Sequence, residues 1–369
     1  MEIIGIAFFI FVFLFILNSK IRKFKRSTHV SEEDYQTKLR ENDFSEYPHG
    51  WYRLANNKDV EIGQIIKKTL CGKSYAVTKT KDDELRVYDE HCPHNKASLC
   101  KSGFVKDGNI VCGFHEWEFG IESGQCVNIP YGDEGSNEKL ICSTKLKGPI
   151  TRKFYDGIVV WYHPENLQPL WEPEEDKKIT EEMIFMGEFT SAIACLVDDI
   201  HENSADLAHF NYVHKKNKIT IMDNVWTDYS WDHKGHVGDG AITSTVKIFG
   251  YKIFSLKAFW RNVGPGIITT EASGTFGRFV IIDTTTPRDR LLTERDFQIY
   301  CPPHLPSSIA WFMCWCFFHV TLQDLSIWNH KKVAGNPIYT ASEKELAKFR
   351  RWFKGFYNSG SARISLKLE

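Results

Sequence analysis

Two short segments, Cys92-Pro93-His94 and Cys112-Gly113-Phe114-His115, constrain this chain more than any other feature. Each carries one thiol and one imidazole, and 17 residues lie between His94 and Cys112, enough for a strand and a turn. A [2Fe–2S] cluster of mixed ligation takes two Cys on one iron and two His on the other. Two loops meeting at the tip of a small β domain can deliver that set. A structural zinc site also takes Cys and His, but zinc fingers usually pair Cys with Cys in one arm and His with His in the other. The interleaved C-x-H and C-x2-H order favours the cluster. Four matched ligands within 24 positions also argue against chance thiols in a reduced protein.

The 369 residues suffice for two domains, and a 42% hydrophobic, 14% aromatic composition supplies a core. A formal net charge of −1 gives no reason to expect nucleic acid as a partner. Ten Cys scattered over so long a chain point to a reducing compartment with metal-bound or buried thiols. Residues 3–17 are apolar throughout, and Lys20, Arg22, Lys23, Lys25 and Arg26 follow at once. Fifteen residues fall short of the roughly 20 that a span needs. Extension through Asn18 and Ile21, with snorkelling lysines, brings a thin membrane within reach. Glu2 and the downstream basic flank oppose a cleaved signal peptide. The expectation is a single-pass anchor over residues 1–26, basic side and catalytic body facing the cytosol, at the endoplasmic reticulum.

Residues 27–50 are polar and charged and read as a tether. From Trp51 the pattern becomes β. Tyr75-Ala76-Val77 and Leu85-Arg86-Val87-Tyr88 flank Lys81-Asp82-Asp83-Glu84 as a hairpin, and Asp156-Gly157 centres another turn. This all-β domain spans 51–163, and 164–182, with three Pro and a run of acids, reads as a linker. The remainder, 183–369, reads as a catalytic domain. It opens with a helical stretch near 192–214 and continues with strands at 242–249, 253–260, 267–272, 279–285 and 295–300, an antiparallel sheet. Ser307 or Ser308 then caps a strongly apolar helix to about Trp328, buried or touching lipid in its upper half. Ser342-x-x-Glu345 is a capping box for an amphipathic helix with Leu346, Phe349, Phe353 and Phe356 on one side. The fold class is α+β, with flanking helices on the second domain.

A second metal constellation lies in Asp206-Leu207-Ala208-His209-Phe210-Asn211-Tyr212-Val213-His214. Mononuclear non-haem iron takes two His and one carboxylate on one octahedral face, leaving positions open for dioxygen. Five residues of ideal helix rotate about 140°, so the helix must end or bulge between His209 and His214 for both to reach one metal. Asp206 and His209, three apart, share a face, which places Asp206 to hydrogen-bond His209 or something beyond it. The bland alternative is a helix with two satisfied surface His. The third ligand must come from elsewhere. Asp324 sits just below the apolar run 311–320, where an isolated acid is costly unless paired or metal-bound. A solvated carboxylate at the helix exit is its competing reading, and Glu202 and Asp199 are weaker candidates. His201, His233, His236 and His330 read as structural or surface. Trp311, Phe312, Trp315 and Phe318 are candidates to wall a flat apolar substrate, with ordinary core as their alternative.

Together these residues resemble the Rieske non-haem iron oxygenases, over the chain from about Trp51 to the C-terminus. Asn203-x2-Asp206-x-Ala208-His209-Phe210-x-Tyr212-x-His214 is similar to the steroid-acting branch of bacterial ketosteroid 9α-hydroxylases and animal cholesterol 7-desaturases of the Neverland type. The Trp161-Tyr162-His163 end of the first domain also resembles the latter. The resemblance implies a [2Fe–2S] cluster on Cys92, His94, Cys112 and His115, and Fe(2+) on His209, His214 and Asp324. It implies a homotrimer in which the cluster of one subunit faces the iron of the next, with Asp206 as a catalytic residue bridging His209 and a neighbour's His115. It implies dioxygen as oxidant, electrons from NAD(P)H through a reductase or ferredoxin, and a sterol substrate desaturated at C7–C8. Hydroxylation of a steroid is the alternative within the class. A purely electron-carrying Rieske protein is disfavoured. Such proteins resemble C-x-H-x-x-C with C-x-C-H, whereas Ala97 and Phe114 stand where their bridging cysteines would. A lipid-binding protein with degenerate metal sites is disfavoured by the full ligand set.

Overall fold

Short β-forming runs broken by Gly, Asp and Asn turns fold residues 47–175 into three small antiparallel sheets. The computed structural model describes residues 23–44, 46–214, 222–274, 277–333 and 337–357. These divide into two units: Tyr47–Glu175 with Thr286–Arg290, and the described parts of 1–46, 176–285 and 291–369.

In the first unit, Ile65–Leu70, Lys73–Lys79 and Leu85–Asp89 form one sheet, and the expected hairpin pairs Ala76 with Tyr88. Gly50–Asn56, Gly157–Tyr162 and Thr151–Lys153 form a second, with the Asp156-Gly157 turn where the sequence places it. The third comprises Phe104–Lys106, Asn109–Val111, Glu118–Gly120 and Cys126–Asn128. Residues 164–175, expected as linker, pack on this unit instead. The Trp51 indole N–H donates to the Trp171 carbonyl at 2.8 Å, and both arms of Arg152 donate to Glu172. Burial of Trp171 among Trp51 and Trp161 holds that proline-rich stretch down.

The second unit is built on an eight-stranded sheet. Its spatial order is Phe24–His29, Ile184–Ile193, Leu292–Cys301, Gly277–Asp289, Ile267–Gly274, Tyr251–Val263, Val237–Ile248 and Met222–Lys234. The first pair is parallel and the pairs that follow the middle strands outward are antiparallel. Alternation of side chains along each strand sets one face apart. Phe279, Ile281 and Asp283 share that face with Arg295, Phe297 and Ile299 and line a cavity of about 260 Å³. The helix Ser307–His330 packs across it, contributing Met313, Phe317, Val320, Thr321 and Asp324. This stripe, spaced 4, 3, 1 and 3, is one helical face. Trp311 and Phe318, candidates for the cavity wall with ordinary core as their alternative, take the core place on another face, edge-on to Phe24 at 5.6 and 5.7 Å. Phe312 is exposed and, with Trp315, stacks away from the cavity.

Several expectations need correction. No helix among the described residues is long and apolar enough to cross a membrane, so single-pass membrane localisation is not supported. Residues 3–17 lie outside the described residues. The basic flank and tether are part of the fold: Phe24–His29 is a sheet strand and Glu32–Glu41 a helix. The strand forms because Phe24, only 1% exposed, enters the core while Lys25 and Arg26 stay in solvent. The helix then reaches the far end of the long helix, where the Lys38 ammonium donates to the carbonyls of Trp328 and Lys331. That places a cation on the last turn, where unpaired carbonyls and the helix dipole favour it. The continuous helix expected near 192–214 is instead the end of a strand, two short helices, Val197–Glu202 and Leu207–Tyr212, and a tight turn, Asn203–Ala205. The long helix begins at Ser307, with Pro306 rather than a serine at its cap. At the last helix, Lys344–Lys354, Thr340 donates twice to Glu343, so the expected Ser342 and Glu345 box does not form. Leu346, Phe349, Phe353 and Phe356 are buried together as expected.

Phe24→Ala is expected to destabilise the protein by about 3–5 kcal/mol, the cost of emptying a buried phenylalanine site. Chemical denaturation measures it; a loose tether would show no change.

Candidate cluster loops and iron centre

The two cluster arms are backbone twins. In the first, the Cys92 N–H donates to the Ala97 carbonyl at 2.9 Å and the Lys96 N–H to the Cys92 carbonyl at 3.0 Å. In the second, Cys112 donates to Trp117 at 3.0 Å and Glu116 to Cys112 at 2.8 Å. Each loop closes through a left-handed residue at the same step, Lys96 at φ 56° and Glu116 at φ 54°. Both sulfurs are buried, while His94 is exposed and His115 half-buried. The imidazoles lie 4.7 Å apart, and His94 stacks on Trp117 at 4.4 Å. Trp117 is itself fixed by donating to the Tyr131 hydroxyl at 2.9 Å. Gly113 cannot carry a side chain: a Cβ there would lie 1.9 Å from the Ser102 carbonyl oxygen.

This donor set fits a mixed-ligand cluster. Burial pushes the Cys92 thiol up to about 11, and neighbouring Cys112 adds to the effect. The Cys92 thiol stays protonated unless a cation replaces its proton, which is the condition of a metal–thiolate site.

The second centre assembles where the short helix Leu207–Tyr212 stops. Asp206 caps it, its carboxylate accepting the His209 N–H at 3.2 Å. The helix ends at Tyr212, and His214 turns back so that its ring lies 5.0 Å from that of His209. Asp324 comes in from the long helix. One ligand atom from each of His209, His214 and Asp324 lies within 4.8 Å of the others, and His214 Nε2 is 3.3 Å from Asp324 Oδ1. The orientation of each ring is set from behind. His209 Nδ1 lies 2.6 Å from the Asp206 carbonyl and His214 Nδ1 lies 3.0 Å from Gln323 Oε1. Donation to those oxygens leaves both Nε2 atoms for a metal, as outer partners of metal-binding His usually do. Asp206 thus reaches the His209 imidazole through its carbonyl, its carboxylate being spent partly on the backbone.

Burial lowers the His209 pKa, with Asp324 opposing. Burial would also lower that of His214, but its hydrogen bond to Asp324 and that carboxylate's charge outweigh it and raise the value. The weaker third-ligand candidates are engaged elsewhere: Asp199 with Lys331 at 2.8 Å, and Glu202 with Arg350 at 2.6 Å. His201 is buried against Thr285 at 2.5 Å, with burial pushing its pKa down to about 3. Sequence reasoning missed Gln323, which has no spacing signal beyond adjacency to Asp324. It also missed Asp283 and Arg295, which meet only once strand pairing is known. Arg295 holds Asp283 through Nε and Nη2, the shortest contact being 2.7 Å.

A loop pair with the donors for a mixed-ligand cluster, together with a two-His, one-carboxylate triad in the same chain, is the donor set of a two-centre iron oxidoreductase. Comparison with known proteins agrees. Residues 50–145 match the Rieske [2Fe–2S] domain, and residues 160–357 match the 3-ketosteroid 9α-hydroxylase C-terminal domain. The chain belongs to the Rieske oxygenase family that these two domains define. It is 30% identical over 347 residues to a cholesterol 7-desaturase of Caenorhabditis elegans, covering 86% of this chain and 78% of that one. It is 29% identical over 343 residues to a cholesterol 7-desaturase of Xenopus laevis, covering 88% and 74%. The fold is also that of apo dicamba monooxygenase, at 13% identity and a TM-score of 0.67, over 86% of this chain and all of that one. The chain is therefore an oxidoreductase with a [2Fe–2S] cluster and iron, using dioxygen and NAD(P)H electrons that arrive through a reductase.

Gln323→Leu is expected to weaken mononuclear iron binding about 10- to 100-fold, as loss of a ligand's outer partner does. Iron titration followed with the cluster absorbance as internal standard checks this, because the cluster should be unchanged. Iron competes with the His214 proton, so loading of this centre should rise with pH through a titration above 6.5. A loading curve flat from pH 6 to 8 would contradict that.

Proposed function

We propose that this enzyme is a cholesterol 7-desaturase, removing two hydrogens across C7–C8 of the sterol B ring to give 7-dehydrocholesterol. The observation that carries the reading is the cavity. It opens on His209, His214 and Asp324, and otherwise its walls are mostly apolar side chains from the sheet and the long helix. Such a wall suits a flat hydrocarbon skeleton. The names of the relatives point the same way.

Loaded with its cluster and iron, the protein gains one-electron delivery and dioxygen activation. Cys92, His94, Cys112 and His115 would hold the cluster in a domain spanning 51–163, and His209, His214 and Asp324 the iron in a domain spanning 183–369. The Asp206 carbonyl and Gln323 fix the two imidazoles. Phe210, Phe317 and Trp260 exclude water and keep the ring B C–H bonds at the metal face. Gly240 makes room for that indole: a Cβ there would meet the Trp260 ring at 2.3 Å. Overall, the sterol loses two hydrogens, NAD(P)H two electrons, and dioxygen leaves as two waters. We further propose a homotrimer in which Asp206 links His209 to the cluster of the neighbouring subunit.

Steroid hydroxylation is the second reading, favoured by the match of residues 160–357 to a hydroxylase domain. The reconstituted protein, supplied with reductase, NADPH and cholesterol, is expected to yield the conjugated 5,7-diene, with its characteristic ultraviolet absorption. His209→Ala should keep the cluster and give no product above background. Oxygen incorporated at C7 with no diene would replace desaturation by hydroxylation.

A further inference from the structure

Away from His209, His214 and Asp324 the cavity wall is apolar or neutral, with a few hydroxyls and the Asn203 amide, except at one charged place. Arg295 and Asp283, on neighbouring strands, face into it as a buried ion pair, their side chains 12% and 4% exposed. Apolar residues occupy the same face on one side, Phe297 and Ile281 among them. Such a pair is a poor device for stability, since well-packed apolar residues of the same volume often do as well or better. It also interrupts a surface otherwise suited to hydrocarbon.

The guanidinium is held at a fixed angle and only partly used. Nε and Nη2 donate to Asp283, while Nη1 has no hydrogen-bond partner among the described residues and is not sealed from the cavity. The guanidinium carbon sits 4.2 Å from the Phe297 ring centre and 5.3 Å from that of Trp328, so it has little freedom to swing. Trp328 lies one turn beyond Asp324 on the same helix, which places the free donors close to the metal end of the cavity. Competing donors are weaker: the Thr321 hydroxyl is spent on the Phe317 carbonyl and that of Ser204 on the His201 carbonyl. Ser244 and Thr270 offer only neutral hydroxyls, and Asn203 a neutral amide.

We propose that Arg295, oriented by Asp283, is the polar anchor that donates a hydrogen bond to the single oxygen of the substrate, the 3-hydroxyl of a sterol, and so sets which ring carbons reach the iron. This rests on the sterol reading above. A buried hydroxyl must find a partner or carry the full cost of desolvation, and a hydrogen bond to a charged donor is among the strong ones. An anchor at one end of a rigid ring system fixes the other end.

The test compares binding of cholesterol with that of cholest-5-ene, the same skeleton without the hydroxyl, to the full iron-loaded chain. Wild type is expected to prefer cholesterol by at least about 10-fold, since a site built to hydrogen-bond a hydroxyl rejects its absence. Arg295→Met alone would strand Asp283, so the informative variant is Asp283→Leu with Arg295→Met, its fold checked by circular dichroism and iron content. Its preference should fall to about 1 with cholest-5-ene binding kept, and its oxidation products should spread to other ring positions. Arg295→Lys, which keeps the charge but not the geometry, should fall between; it serves if the double variant does not fold. A wild type without preference, or a variant that keeps the wild-type ratio, overturns the anchor, while diene formation by wild type would still uphold the desaturase. Loss of the ratio in an enzyme that forms no diene would uphold the anchor and sink the desaturase.

Discussion

The unit that carries His209, His214 and Asp324 depends on one packing arrangement, the helix Ser307–His330 laid across the eight-stranded sheet. One stripe of that helix walls the cavity and ends in Asp324; another packs on Phe24 from the first strand of the sheet. Phe189, Phe297 and Phe317 interlock between the two layers, with ring centres 4.3 to 6.0 Å apart. A helix in this position has little freedom to rotate, because turning it would drive Phe318 out of the core or Asp324 off the two histidines. Its far end is fixed as well: Lys38 caps its carbonyls and the Asn329 amide oxygen accepts the Ala194 N–H. A carboxylate required to meet two imidazoles within a few tenths of an ångström needs this sort of support on both sides.

The cluster loops solve the same positioning problem with backbone alone. Each is too short for a helix or strand, and each places a non-glycine residue in the left-handed region, where a side chain costs about 1 kcal/mol or more. In return, the two loop hydrogen bonds aim a Cys inward and leave a His two or three residues later near the surface. Gly113 pressed against the Ser102 carbonyl shows how closely the second loop lies on the chain beneath it. The result is a graded site, thiols buried and imidazoles outward, which suits an electron-carrying group that must be shielded yet reached.

Much of this was legible in the sequence, and the failures have physical causes. The motif arms, the need for a break between His209 and His214, and Asp324 as an acid out of place in an apolar helix all rest on short-range periodicity, which a sequence carries directly. Strands at 267–272 and 279–285 were visible for the same reason, short of the observed Ile267–Gly274 and Gly277–Asp289. The strand at Phe24–His29 was not, because five polar-looking residues after a single buried phenylalanine carry no period; only its parallel partner Ile184–Ile193 makes it a strand. Which residues of the long helix face the cavity could not be chosen from the sequence, because a segment apolar on every face has no preferred side until the sheet supplies one. Arg295 and Asp283 were invisible as a pair because their proximity is a product of sheet topology.

Electrostatics ties these pieces together. Asp324 is the charge to which both histidines respond, yet it touches only His214, which explains why burial prevails at His209 and the carboxylate prevails at His214. Iron held by these three residues would take the place of the His214 proton, as metal binding to imidazole does. Arg295 adds a positive charge that opposes protonation of His214, and the Asp283 carboxylate paired with it offsets part of that charge. An uncancelled guanidinium would oppose a cation bound by His214. The pairing therefore lets this wall present directed N–H donors to a neutral substrate without working against the metal beside it.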